Sequence, residues 1–249
     1  VTRLISAPAP VVVAPANVFG QGRDDPYARA LRLGGGTLTL RSHDASPDSG
    51  RRPGEVTFNV LDWCSEASAL ELNLLQGLQG PVLDIGCGPG RMLSAARSLG
   101  MSALGIDTSA EAVGLARGRG TRALRQSVFS PVPQAGNWGS ALLLDGNIGI
   151  GGNVGRLLRR CRQLIARRGT LLVEVDPDDD IDTAYQGVLQ DRDGNRSEPF
   201  AWARTGRLGL EARASDAGWI PCPAEHVQGR VFCRLSPVSD IARPARSIA

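Results

Sequence analysis

PVLDIGCGPGRM, residues 81–92, joins a short apolar run to a turn with glycines at three alternating positions. Such a run reads as a buried strand leading directly into a helix. Backbone N–H groups and the positive end of a helix dipole then lie at the C-terminal edge of a sheet, where ligands of open α/β folds collect. In the dinucleotide fingerprint, G-x-G-x-x-G, pyrophosphate sits on the helix N-terminus. Here the spacing is G-x-G-x-G, with Pro89 between the last two glycines and Asp84 two residues before the first. A carboxylate beside the turn repels pyrophosphate and suits a ligand carrying a positive amine.

The next apolar run ends in GID, with Asp107 placed 21 residues after Gly86. An acidic residue at that strand tip can accept both hydroxyls of a ribose, which adds a ribose to the amine. VLDIGCGPGR followed by ALGIDTSAEAV resembles the first two motifs of the class I S-adenosylmethionine-dependent methyltransferases. The resemblance implies S-adenosylmethionine as cofactor and S-adenosylhomocysteine as product. It implies Asp84, Gly86, Cys87, Gly88 and Gly90 around the methionine moiety and ribose, Asp107 on the ribose hydroxyls and Thr108 beside the adenine. Where the family often has an acidic residue after its third strand, RQSVFS offers Ser127, followed by Val128. In LLLDGNIGIGG, Asp145, Gly146 and Asn147 are expected at the methyl end. This is neither the N/D-P-P-Y/F type nor the Pro-Cys type of nucleic-acid-modifying subclasses.

From residue 81 onward, short apolar runs alternate with amphipathic segments, the pattern of a parallel sheet covered on both faces. Strands are predicted over 81–85, 102–106, 123–128, 140–144 and 170–175, then a hairpin over 225–228 and 231–235. The expected fold is a Rossmann-like α/β sandwich. Its mostly parallel seven-stranded sheet ends in an antiparallel hairpin, and a small N-terminal cap precedes it. Thr108 with Glu111 reads as a capping box for the helix that follows, and Asn153 and Gly169 as the start and stop of another. Residues 24–80 do not alternate: a short helix ended by glycines, a strand at TLTLRSHD, a loop, and a strand or turn followed by a helix. The predicted organisation is a flexible arm (1–23), a substrate-side cap (24–80), the cofactor-binding domain (81–237) and a flexible tail (238–249).

Among 249 residues no apolar run approaches the roughly 20 needed to cross a bilayer. Prolines interrupt the apolar N-terminus, which reads as an arm and not a signal peptide. Five scattered cysteines, none spaced as CxxC, indicate neither a disulfide framework nor a zinc site, and a cytoplasmic location is expected. All 28 basic residues are arginine, but the net charge of +3 is small and dispersed, so nucleic acid is not an expected partner.

Substrate selection falls to the cap. Tyr27 and Arg29 on its first helix, Trp63, and Phe200, Trp202 and Arg204 after the fifth strand are rings and cations suited to a small organic acid or polyphenol. The run VEVDPDDDID reads as a solvated loop in preference to a Mg²⁺ site, and no metal is assigned. His43 could serve as a general base, but a surface histidine is the commoner case and no catalytic residue is assigned. Transfer from an activated sulfonium needs alignment more than a triad. The expected activity is O- or N-methylation of a small molecule. An RNA or protein methyltransferase and a noncatalytic binder of the same cofactor are the alternatives.

Overall fold

The computed structural model describes residues 17–22, 25–43 and 55–238. Ahead of the main sheet lie helix α1 (Pro26–Leu33), strands β1 (Thr37–Ser42) and β2 (Val56–Asn59), and helices α2 (Val60–Cys64) and α3 (Ala69–Gln76). Asp25 accepts the Tyr27 N–H to start α1, and Gly34, in the left-handed region, ends it. A capping box starts α3: the Ser68 hydroxyl accepts the Glu71 N–H and the Glu71 carboxylate accepts the Ser68 N–H. The arm predicted over 1–23 lies outside the described residues except 17–22, as does the tail beyond 238 and the loop over 44–54.

The main unit runs β3 (Val82–Ile85), α4 (Arg91–Ser98), β4 (Ala103–Asp107), α5 (Ala110–Gly118), β5 (Ala123–Arg125) and β6 (Trp138–Leu143). A 3-10 turn (Asn147–Gly152), α6 (Val154–Leu164) and β7 (Ile165–Val175) follow, then β8 (Asp182–Asp191) and β9 (Phe200–Thr205). The described chain closes with α7 (Arg207–Ala214), β10 (Trp219–Pro221), β11 (Glu225–Val227) and β12 (Arg230–Pro237). Strands β5-β4-β3-β6-β7 are parallel neighbours, β12 lies antiparallel to β7, and both β10 and β11 pair with β12. Among the described residues the Rossmann-like sheet thus has eight strands where the sequence suggested seven, the addition being β10, whose three residues are too short for a periodic signal.

Side chains alternate to two packed faces. Leu83, Ile106, Leu143 and Leu171 meet Leu158, Leu210 and Trp219 on one. Val82, Leu142, Leu172 and Phe232 meet Leu74, Leu75 and Met92 on the other. Burial on both sides is why these strands read as near-continuous apolar runs. The chain steps from β3 to β4 on one side and later places β6 on the other, so a crevice opens outside the carboxyl ends of β3 and β6.

A second, antiparallel sheet, β2-β1-β8-β9, stands over that crevice. The expected cap is therefore composite: the N-terminal strands pair with a hairpin inserted after β7. Its core is Leu38, Leu40, Leu189 and Phe200, brought together by the register Leu40↔Leu189. The sequence did not announce β8, only three of whose ten residues are buried. β9 rests on the 3-10 turn at Gly149, where a Cβ would strike the Ala203 carbonyl and the Trp202 indole.

Three local expectations are corrected. Ser109, not Thr108, caps α5, its hydroxyl accepting the Ala112 N–H; the Thr108 hydroxyl instead donates to the Phe19 carbonyl at 2.8 Å. α6 begins on Asn153 as expected but ends at Leu164, because Ile165 pairs with Trp138 and starts β7, leaving Gly169 inside that strand. β5 stops at Arg125, short of the predicted 128.

Candidate active site

The glycine turn is pinned to its neighbour strand. Gly86 and Cys87 donate their N–H groups to the Ile106 carbonyl at 2.8 and 3.1 Å. The Gly88 N–H donates to Asp107 Oδ2 at 2.9 Å, while Asp107 Oδ1 accepts the Ser109 N–H at 2.8 Å. From the tip of β6, Asn147 Nδ2 donates to the carbonyls of Ile85 and Gly86 at 3.0 Å each. Gly86 has φ +74°, and a Cβ there would lie 2.6 Å from Asn147 Nδ2, so this bridge requires glycine.

Asp84 sits in β3 beneath the turn, buried, with Oδ2 unpartnered among the described residues. Burial pushes its carboxyl up to about 7, Asp145 adds to the rise, Arg91 opposes it and Asp107 adds a little more. Burial also raises Asp107, against the three backbone N–H groups that favour its charged form.

A cavity of about 230 Å³ opens above these groups. Of the predicted cofactor residues, Asp84, Gly86, Cys87, Gly88, Asp107, Thr108, Ser127, Val128, Asp145 and Asn147 line it. Gly90 does not: it precedes α4 and packs on Ala116. Gly146 lines the neighbouring cavity instead. Phe19, Gln126, Phe129 and Arg156 line the first cavity without having been anticipated, the Arg156 guanidinium stacking 4.1 Å over the Phe129 ring. Nothing adjacent in sequence marks Phe19, which joins Tyr27, Phe200 and Trp202 in one ring cluster with centroids 5.1 to 5.4 Å away.

A second cavity, about 450 Å³, lies under β1, β2 and β9. Phe58, Trp63, Arg91, Asp145 and Trp202 line both, so they form the partition between the two spaces. The predicted substrate residues divide. Arg204 lines the second cavity and pairs with Asp176 at 2.6 Å, and Trp202 faces both spaces. Tyr27 lines only the first, stacked edge-on to Trp63. Arg29 lines neither and lies 3.8 Å from Asp191 on the surface. His43 also lies outside both linings, its backbone N–H on the Gln186 carbonyl.

A charge network that the sequence did not reveal braces the partition. Arg91 Nη2 meets Glu71 at 3.0 Å and Asp145 Oδ2 at 2.7 Å. Arg230, from β12, meets Glu71 at 3.0 Å, Glu174 at 2.7 Å and Asp145 Oδ1 at 3.3 Å. Glu174 Oε2 also accepts the Asp145 N–H. Asp145 is held with φ +54°, an uncommon conformation for a non-glycine residue. The acidic run after β7 is taken up similarly: Asp179 accepts from Arg207 and Asp182 pairs with Arg213. Among the described residues no helix is long and apolar enough to cross a membrane.

A family model described as a methyltransferase domain matches residues 61–228. No curated protein matches the sequence. Among solved structures, an S-adenosylmethionine-dependent methyltransferase from Bacteroides fragilis, in complex with S-adenosyl-L-homocysteine, superposes with TM-score 0.68. It is 21% identical, and the alignment covers 89% of this chain and 98% of that one. The Burkholderia thailandensis 1,6-didemethyltoxoflavin-N1-methyltransferase matches at 0.52, with 18% identity over 72% of this chain and 81% of the other. A methyltransferase from Methanosarcina mazei matches at 0.55, with 15% identity over 71% and 100%. The glycine turn, the strand order and the family match agree, and the chain belongs to the class I S-adenosylmethionine-dependent methyltransferase family.

Proposed function

We propose that the protein methylates a small molecule, with S-adenosylmethionine in the first cavity and the acceptor in the second. The observation that carries this reading is the shared partition: a cavity on the glycine turn adjoins a second one roofed by the antiparallel sheet. A roofed space of this size suits a small acceptor better than an RNA or protein segment.

The residues present fit the cofactor. Asp84 offers a buried carboxylate oxygen with no partner among the described residues, which suits a positive amine. Asp107 keeps lone-pair capacity beyond what it gives to backbone N–H groups, as ribose hydroxyls require. Thr108, Ser127, Val128 and Phe129 wall the end where adenine would lie, and Asp145 and Asn147 the end facing the partition. When bound, the cofactor supplies an electrophilic methyl group on a sulfonium. The chain's own contribution is to align the acceptor at the partition beside Asp145, which lines both cavities, and to exclude water with Phe58, Trp63 and Trp202.

Titration calorimetry with S-adenosylhomocysteine tests this. Wild type binds, and Asp107→Ala weakens binding by about tenfold or more, the cost of hydrogen bonds to a charged acceptor. Binding of NAD in its place, or equal affinity in the variant, overturns the assignment. Transfer of labelled methyl to cellular RNA or protein, with none to low-molecular-weight extract, overturns the small-molecule reading.

A further inference from the structure

The second cavity has a charge balance that was not visible in its sequence. Three guanidiniums line it, those of Arg91, Arg204 and Arg230, and each is already engaged by carboxylates. The carboxylates that line it are Asp62, Asp145, Glu174 and Asp176, and Glu71 stands directly behind, 1% exposed. Among the described residues, five carboxylates face three guanidiniums, a formal excess of two negative charges in a partly enclosed space. Among the described residues, the Asp62 carboxylate takes only a neutral amide N–H, from Asn59, and Asp145 keeps about a third of its side chain exposed. Neither arrangement leaves a guanidinium ready for an anion.

The apolar part of the wall has a matching character. Phe58 and Trp63 lie 5.2 Å apart at 40°, and Trp202 faces the same space from β9. Ring faces carry negative quadrupole potential and attract cations, more strongly where water is excluded. Carboxylates and rings converging on one cavity favour the same ligand charge.

We propose that the acceptor is recognised through a basic nitrogen, protonated on binding, seated between the ring wall and the carboxylates of Asp62 and Asp145. This reverses the expectation of an organic acid or polyphenol, which rested on aromatic walls with Arg29 and Arg204: Arg29 lies outside the cavity and Arg204 is engaged by Asp176. It rests on the second cavity being the acceptor site.

Three probes of nearly equal size, benzylamine, benzyl alcohol and benzoate, separate the possibilities. Each is titrated into protein saturated with S-adenosylhomocysteine, followed by calorimetry and by tryptophan fluorescence. Benzylamine is expected to bind about tenfold more tightly than benzoate, with the preference shrinking as salt rises. Asp62→Asn narrows the preference, and Asp176→Asn, which removes the negative charge opposite Arg204, moves it toward benzoate. Both variants are checked for retained binding of the homocysteine product, so misfolding is separated from lost recognition. Equal or tighter binding of benzoate by wild type overturns the inference, as does failure of all three probes to bind. Failure of S-adenosylhomocysteine itself to bind overturns the methyltransferase reading, whereas its binding together with a preference for benzoate overturns only this inference.

Discussion

Asp84 shows how one buried carboxyl connects stability to binding. Its ordinary unfolded value is about 3.9, and burial lifts it to about 7 in the folded chain. Between these values the unfolded chain has lost a proton that the folded protein keeps, so ligand-free stability falls as pH rises through that window. Asp25, lifted to about 6 by burial, acts in the same direction. Asp84→Asn is expected to stabilise the ligand-free protein above pH 7 by on the order of 2–4 kcal/mol, measured by denaturant melts. The same variant should bind S-adenosylhomocysteine more weakly. An amine docked on Asp84 favours the carboxylate, so calorimetry near pH 6 in buffers of different ionisation heat should register proton release with wild type and none from this site with the variant. Absence of release would show that the carboxyl does not meet the amine. Asp84, Gly86, Gly88 and Asp107 were legible in the sequence because their chemistry depends on spacing within two strand–turn units. Arg91, next to the same turn, was not, because its meaning depends on Glu71 and Asp145.

At the scale of elements, the seam between the 3-10 turn and β9 holds the antiparallel sheet over the site. Gly149→Ala places a methyl group against the Ala203 carbonyl and the Trp202 indole, neither of which can retreat without moving β9. Overpacking of this kind costs about 1–3 kcal/mol. The midpoint of chemical denaturation should fall accordingly, and fluorescence from Trp202 should shift in the folded baseline. An unchanged midpoint would mean that the two units slide freely. The elements legible in sequence were those with a strong period: α6 with its apolar face of Val154, Leu157, Leu158, Cys161 and Leu164, and the buried parallel strands. β8 was not, because only Val188 and Leu189 among its apolar residues are buried, and its partner β1 lies more than a hundred residues earlier.

Across the whole molecule, Arg230 ties the last strand to α3, to the tip of β6 and to β7 through Glu71, Asp145 and Glu174. Burial works against the Glu71 carboxylate, but the Ser68 N–H, Arg91 and Arg230 hold its titration below the ordinary range. That stabilisation is therefore present above about pH 4.3, the unfolded value, and is lost as pH falls through the lowered folded value. Arg230→Met should destabilise the protein by about 3–5 kcal/mol at neutral pH, since it takes the cation from Glu174 and leaves Glu71 and Asp145 to share Arg91. The penalty should shrink in acid as those groups are protonated. Urea melts across pH 4 to 8 check both statements; a penalty independent of pH would reduce Arg230 to a packing residue.

The sequence by itself determined the sheet, the cofactor edge and the family, because strand periodicity, a glycine turn and two carboxylates at fixed spacing act locally. The tertiary structure alone decided the second cavity and its charges. There Glu71 and Arg230 meet across 159 residues of chain, β8 completes a sheet begun by β1, and Arg204 is neutralised by Asp176. Charge and enclosure at a site are sums over all neighbours in space, and a linear pattern records only the neighbours in sequence.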